Sequence, residues 1–298
     1  NASGSAGVGA LSKHDMNTYI DLGATDPRLP NQLQTIIASP SYLELAKHAI
    51  SKSDAIKGQL QSITFKPPIE SPGKIVCMGL NYADHAKEGG NARPEYPSFF
   101  MRGPSSLTAH LSPIIRPKVS DKLDYEAELA FVVGKKARNL TQENALDCVA
   151  GYSIFNDGSI RDYQRKTTQW SIGKNFDQTG AFGPWLVTPD ELPVGCHGLN
   201  IQSRLNGQVM QNANTKDFLW GIAETIVLIV PPGGETLALR IFNLLHYGHN
   251  AQVDALCLLL LGLALAPLVV WKIGSRVVQL FASKCAKTAA LVAVSGLG

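Results

Sequence analysis

The sequence predicts a β-rich α+β fold, with a small N-terminal segment ahead of a strand-rich body with short flanking helices. Three observations carry this. Apolar runs of strand length, ended by glycine or another turn residue, recur from residue 74 onward. One alternating run turns at Asn206-Gly207, the strongest short hairpin signal. Long helical periodicities are few. The chain has 298 residues, 45% of them hydrophobic, enough to bury the core of one large domain or two smaller ones.

The elements follow in order. Residues 1–70 form the leading segment, and apolar residues at helical spacing predict a helix over about 41–57. Pro67, Pro68 and Pro72 cannot continue a helix or a central strand, so they mark a linker. The body spans 71–230. Buried strands are expected at 74–79, 129–133 and 150–155, then the hairpin at 199–207, and a helix from Asp217 to about residue 229. Residues 231–298 differ in texture. Within them, 255–271 carry no charge and are interrupted by Pro267, at the lower edge of the roughly 20 residues that a spanning helix needs.

The net charge is +3. The tail alone holds Arg240, Lys272, Arg276, Lys284 and Lys287 against Glu235 and Asp254, so the whole excess lies there and the first 230 residues are about neutral. This is too little charge for a nucleic-acid binder. Five widely spaced cysteines, Cys77, Cys148, Cys196, Cys257 and Cys285, contain no CxxC and suit a reducing compartment. A cytoplasmic location is expected, with the mitochondrion as the alternative. The first ten residues lack the basic and apolar regions of a secretory leader. His14, His48, His110 and His197 have no partner pattern, and His246-x-x-His249 with Cys257 falls short of the four specified ligands of structural zinc.

The chemistry concentrates in Asp124-Tyr-Glu-Ala-Glu-Leu. Alternate strand residues share a face, so Glu126 and Glu128 point the same way while Tyr125, Ala127, Leu129 and Phe131 point the other. Two adjacent carboxylates repel unless a dication sits between them. A solvated strand face would show the same bare E-x-E. Asp157, at the end of an apolar run and just before Gly158, offers a third carboxylate. Asp162 is its rival, although it stands beside Arg161 and is expected to pair with it. Oxygen-only donors favour Mg²⁺, with Mn²⁺ or Ca²⁺ as alternatives, over zinc. His85 and Glu88, spaced three apart, are neighbours on a helical turn, where a carboxylate can orient an imidazole.

Four ordered motifs make the sequence resemble the fumarylacetoacetate hydrolase family, in particular its domain-containing members with an N-terminal segment. They are Gly79-Leu-Asn-Tyr-Ala-Asp-His-Ala-Lys-Glu, Asp124-Tyr-Glu-Ala-Glu-Leu, Asn156-Asp-Gly-Ser-Ile-Arg-Asp-Tyr-Gln, and Gly173-Lys-Asn-Phe-Asp with Gly183-Pro-Trp. The resemblance covers roughly residues 70–225 and implies a mixed β-roll or sandwich. It implies a metal on Glu126, Glu128 and Asp157, His85 as base with Glu88 as its partner, and Lys174 facing the substrate oxygens. It places Arg161 and Gln164 at the substrate carboxylate. The implied activity is metal-dependent hydrolysis of a C–C bond in a β-diketo acid such as an acylpyruvate, in a homodimer. Oxaloacetate decarboxylation and keto-acid isomerisation or hydration are the alternatives on the same site. Residues 231–298 depart from the family, whose closing motif, L-x-P-G-D-x-I-x-T-G-T-P-x-G-V-G, is missing. That tail reads as a frame or gene-model error or as a genuine divergent end, and the second case allows a membrane anchor or a metal-binding relative with weak turnover.

Overall fold

The computed structural model describes residues 6–82 and 96–229. His85, Glu88 and the whole tail from residue 231, with its uncharged run, lie outside the described residues. Among the described residues no helix is long and apolar enough to cross a membrane.

The N-terminal segment builds its own sheet. Strands β1 (Gly9–Leu11), β2 (Thr18–Asp21) and β3 (Lys57–Gln59) pair antiparallel in that order. Helix α1 (Leu22–Thr25) starts at Asp21, whose carboxylate accepts the Ala24 amide at 3.0 Å and so satisfies one of the free donors of the first turn. Helices α2 (Leu33–Ile37) and α3 (Pro40–Ser51) follow. Pro40 opens α3, where a missing N–H costs nothing. The helix expected to reach residue 57 stops at Ser51. Lys52 is already extended, Ser53 and Asp54 favour turns, and Lys57–Gln59 is drawn into the sheet against β2. Ile20, Leu22, Leu29, Ile36, Ala46 and Ala49 are buried together between the sheet and the helices.

The body is strand-rich, as its sequence pattern predicts. Strands β4 (Ile75–Gly79) and β5 (Ser98–Arg102) pair antiparallel. The expected burial of β4 holds only at Cys77, because the sheet has two strands and Val76 faces out. The main sheet contains β6 (Leu107–Ala109), β8 (Ala127–Val133), β9 (Val149–Asp157) and β11 (Gly180–Phe182), ordered β6-β11-β9-β8. Among the described residues only the β6–β11 pair of this sheet is parallel. A small pair, β7 (Leu123–Asp124) with β10 (Ser159–Ile160), ties the approach to β8 to the exit from β9. Phe155 and Phe182 pack with Ile69 in one cluster. Each such buried ring contributes about 1.5–3 kcal/mol. Tyr152, Cys148, Cys196, Ile222 and Ile226 belong to another.

Strands β12 (Asn200–Leu205) and β13 (Gln208–Asn214) form the expected hairpin. Leu205 pairs with Gln208, leaving a two-residue loop, and Asn206 and Gly207 both have positive φ (52° and 84°), as a primed turn requires. Two further short helices, α4 (Arg161–Gln164) and α5 (Ser171–Lys174), follow β10. The last helix, α6 (Ile222–Ile229), begins five residues later than its pattern suggests. Leu219 and Trp220 are instead held by Asn81. The Leu219 amide donates to the Asn81 carbonyl (2.8 Å), the Trp220 amide donates to Asn81 Oδ1 (2.9 Å), and Asn81 Nδ2 donates to the Trp220 carbonyl (3.1 Å).

Candidate active site

The site forms where β8 begins and β9 ends, and Lys174 at the end of α5 reaches in between them. Glu126 precedes β8, Glu128 lies within it, and Asp157 is the last residue of β9. The Asp157 amide donates to the Glu126 carbonyl at 2.9 Å, which locks the two chain segments in register. One oxygen from each of Glu126, Glu128 and Asp157 lies within 4.8 Å of the others.

Three cations surround these acids. The Lys174 ammonium donates to Glu126 Oε2 at 2.6 Å and to Asp157 Oδ2 at 2.5 Å, and the side chain is only 2% exposed. Lys174 reaches this depth because Gly173 lets α5 close on α4. A Cβ there would stand 2.4 Å from the Gln164 amide nitrogen. Arg161 bridges Glu126 Oε1 (2.6 Å) and Asp124 Oδ2 (2.8 Å) and donates to Gln164 Oε1 (2.9 Å). Arg102 pairs with the other Asp157 oxygen and also donates to Thr179 Oγ1 and the Gly158 carbonyl.

Asp162 stands outside the carboxylate cluster and does not pair with Arg161. It is exposed and accepts from Ser120 Oγ at 2.7 Å, while Arg161 turns inward to the site. Arg102 has no counterpart among the sequence-based candidates. Its signal was the alternation of β5, which places Ser98, Phe100 and Arg102 on one face, and Phe100 is buried.

The electrostatics divide the three acids. Burial alone would raise the Glu126 carboxyl, but Lys174 and Arg161 outweigh it and hold it below the ordinary glutamate range. Burial raises Asp157 despite Lys174 and Arg102. Glu128 is pushed well up, first by burial and then by the charges of Asp157 and Glu126. Among the described residues no hydrogen bond or ion pair reaches its carboxylate. An oxygen-only donor set with one uncompensated member fits a hard dication, whose charge would remove the repulsion. Zinc, which favours nitrogen and sulfur, fits less well. A cavity of about 1300 Å³ opens beside the cluster, lined by Glu126, Glu128, Arg161, Gln164 and Lys174 and by Tyr82 and Trp170.

The fumarylacetoacetate hydrolase C-terminal profile matches residues 74–231, the stretch that carries every group in this cluster. The chain belongs to the fumarylacetoacetate hydrolase family. Over 213 residues it is 39% identical to a mitochondrial oxaloacetate tautomerase of Xenopus laevis, covering 70% of this chain and 66% of that protein. It is 37% identical over 231 residues to the fumarylacetoacetate hydrolase domain-containing protein 2 homolog of Dictyostelium discoideum, covering 74% of each chain. Among solved structures, a fumarylacetoacetate hydrolase from Exiguobacterium antarcticum superposes with a TM-score of 0.60 at 29% identity, covering 72% of this chain and 75% of that one. A putative HpcE protein from Mycobacterium smegmatis gives 0.63 at 26%, covering 72% and 76%. The strand-rich α+β fold is therefore that of the family.

Proposed function

We propose that this site interconverts the keto and enol forms of a small 2-oxo dicarboxylic acid, oxaloacetate being the leading candidate, with Mg²⁺ held by Glu126, Glu128 and Asp157. The observation that carries this is the Lys174 ammonium, buried between Glu126 and Asp157 at the wall of a cavity large enough for such a ligand. The family relatives named as oxaloacetate tautomerases support the choice of substrate. They move the lead away from C–C hydrolysis.

A bound dication supplies Lewis-acid charge that favours the enolate side of the equilibrium. The remaining work belongs to the chain. Lys174 offers a fixed positive charge where negative charge develops on the substrate oxygen, and it needs no rearrangement to do so. Arg161, partly exposed and steadied by Gln164, takes the substrate carboxylate. His85 with Glu88 as its partner, both outside the described residues, is the pair that the family resemblance assigns to moving the proton. Hydrolytic C–C cleavage is the second reading, favoured by the resemblance to the Exiguobacterium hydrolase. It would use the same groups with a water activated by His85. A mitochondrial location, suggested by the relatives' names, and a homodimer complete the proposal.

The enol-to-keto conversion of oxaloacetate, followed by ultraviolet absorbance, tests this. Chelation by EDTA and Lys174→Met are each expected to lower kcat about 100-fold or more. Pyruvate appearing as product would assign decarboxylation instead, and acylpyruvate cleavage would assign hydrolysis. A rate indifferent to EDTA sinks the metal-dependent reading.

A further inference from the structure

Asp157 is fully buried, and both of its oxygens are engaged. Arg102 Nη1 donates to Oδ1 and Lys174 Nζ to Oδ2. The Arg102 side chain is itself sealed from solvent and held on every side. Its Nε donates to Ser106 Oγ at 3.2 Å, its Nη2 to Thr179 Oγ1 at 2.9 Å, and its Nη1 also to the Gly158 carbonyl at 3.2 Å. Ser106 Oγ donates in turn to the Gly103 carbonyl, and Thr179 Oγ1 to the Phe176 carbonyl, each at 2.7 Å. Both hydroxyl hydrogens are thus spent, and the two oxygens face the guanidinium as acceptors. The Phe155 ring lies over the guanidinium, 5.4 Å from its carbon to the ring centre. Gly180 makes room for it, since a Cβ there would stand 2.7 Å from Nη2.

Stability alone is weak ground for so deep an ion pair, because apolar residues of like volume often serve as well. What the locked guanidinium does provide is a carboxylate fixed in direction with one oxygen committed. Glu126 repeats the arrangement, with Arg161 on Oε1 and Lys174 on Oε2, each at 2.6 Å.

A carboxylate can grip an ion with one oxygen or with both. Ca²⁺ takes about six to eight oxygens and accepts two-oxygen grips, whereas Mg²⁺ takes about six in near-ideal octahedral positions. A two-oxygen grip by Asp157 would press the ion against the guanidinium that shares Oδ1, with no water between them to screen the repulsion. We propose that Arg102 is a positioning residue that restricts Asp157 to a one-oxygen grip and thereby selects Mg²⁺ over Ca²⁺. This rests on the reading of Glu126, Glu128 and Asp157 as a metal site. An arginine with a purely structural role would, when removed, weaken both ions alike.

The test is calorimetric titration of the full chain with Mg²⁺ and, separately, with Ca²⁺, for the unsubstituted protein and for Arg102→Met. The unsubstituted chain is expected to bind Mg²⁺ at least as tightly as Ca²⁺. In the variant the ratio of the two dissociation constants should move about five- to tenfold toward Ca²⁺. Where Arg102→Met shows no cooperative thermal transition, Thr179→Val takes its place. That variant keeps the guanidinium but removes the acceptor of Nη2, and the same ratio should move the same way by about threefold. Tighter binding of Ca²⁺ than of Mg²⁺ by the unsubstituted chain overturns the proposal. So does an equal loss for both ions in the variant. Either result leaves the metal site standing, whereas binding of neither ion by the unsubstituted chain overturns that reading and this proposal with it.

Discussion

Two buried aspartates in this chain are each flanked by an arginine and a lysine, and they behave in opposite ways. In the N-terminal segment, Asp26 meets Arg28 at 2.6 Å and Lys52 at 3.9 Å, but those cations are 66% and 29% exposed. In the body, Asp157 meets Arg102 and Lys174, which are 0% and 2% exposed. The Arg28 hydrogen bond holds Asp26 far below the ordinary aspartate range. Asp157 is raised, because burial outweighs both cations. The same partners give a settled structural pair where water reaches the cations and a poised group where it does not. Such poise is a mark of functional sites.

The largest expected effect comes from breaking the inner pair. Arg102→Met leaves the buried Asp157 facing Lys174 alone and strips donors from Thr179 and Gly158. It should cost about 3–5 kcal/mol in chemical denaturation. Arg28→Met, at the solvated pair, should shift the denaturation midpoint far less. Comparable losses would erase the distinction.

The smaller effect is the pH dependence of the outer pair. Asp26 has a depressed folded-state pKa, so its stabilisation is present above the unfolded value near 3.8 and is lost as pH falls through and below it. Asp26→Asn should therefore lower the melting temperature at neutral pH, where the carboxylate stabilises the fold, and flatten the further fall below about pH 4. A variant whose acid unfolding matches the unsubstituted chain would show that Asp26 is not held by Arg28.

Much of this was legible in the sequence, for identifiable reasons. Strand alternation put Glu126 and Glu128 on one face, and Asn206-Gly207 fixed the hairpin because local chemistry decides a two-residue turn. Motif order supplied Asp157, Arg161, Gln164 and Lys174. The depth of Lys174 was not legible, since it depends on how closely α5 approaches α4 across Gly173. Arg102 was missed because its partner lies 55 residues away, so the alternation of β5 marks the face it shares with Phe100 but not the carboxylate it meets. Both helix ends that moved, at Ser51 and Ile222, were set by contacts with distant segments, the β2 pairing and the Asn81 clamp, which override periodicity.

In the proposed metal site of Glu126, Glu128 and Asp157, Glu128 is the carboxylate that no hydrogen bond or ion pair reaches among the described residues. Calorimetric Mn²⁺ titration of the unsubstituted chain and of Glu128→Gln measures this most directly. The account predicts one ion per chain, and a dissociation constant weakened at least about tenfold in the variant, which would itself melt higher in chelator because its repelled buried charge is gone. Equal Mn²⁺ affinity in the two proteins would contradict it.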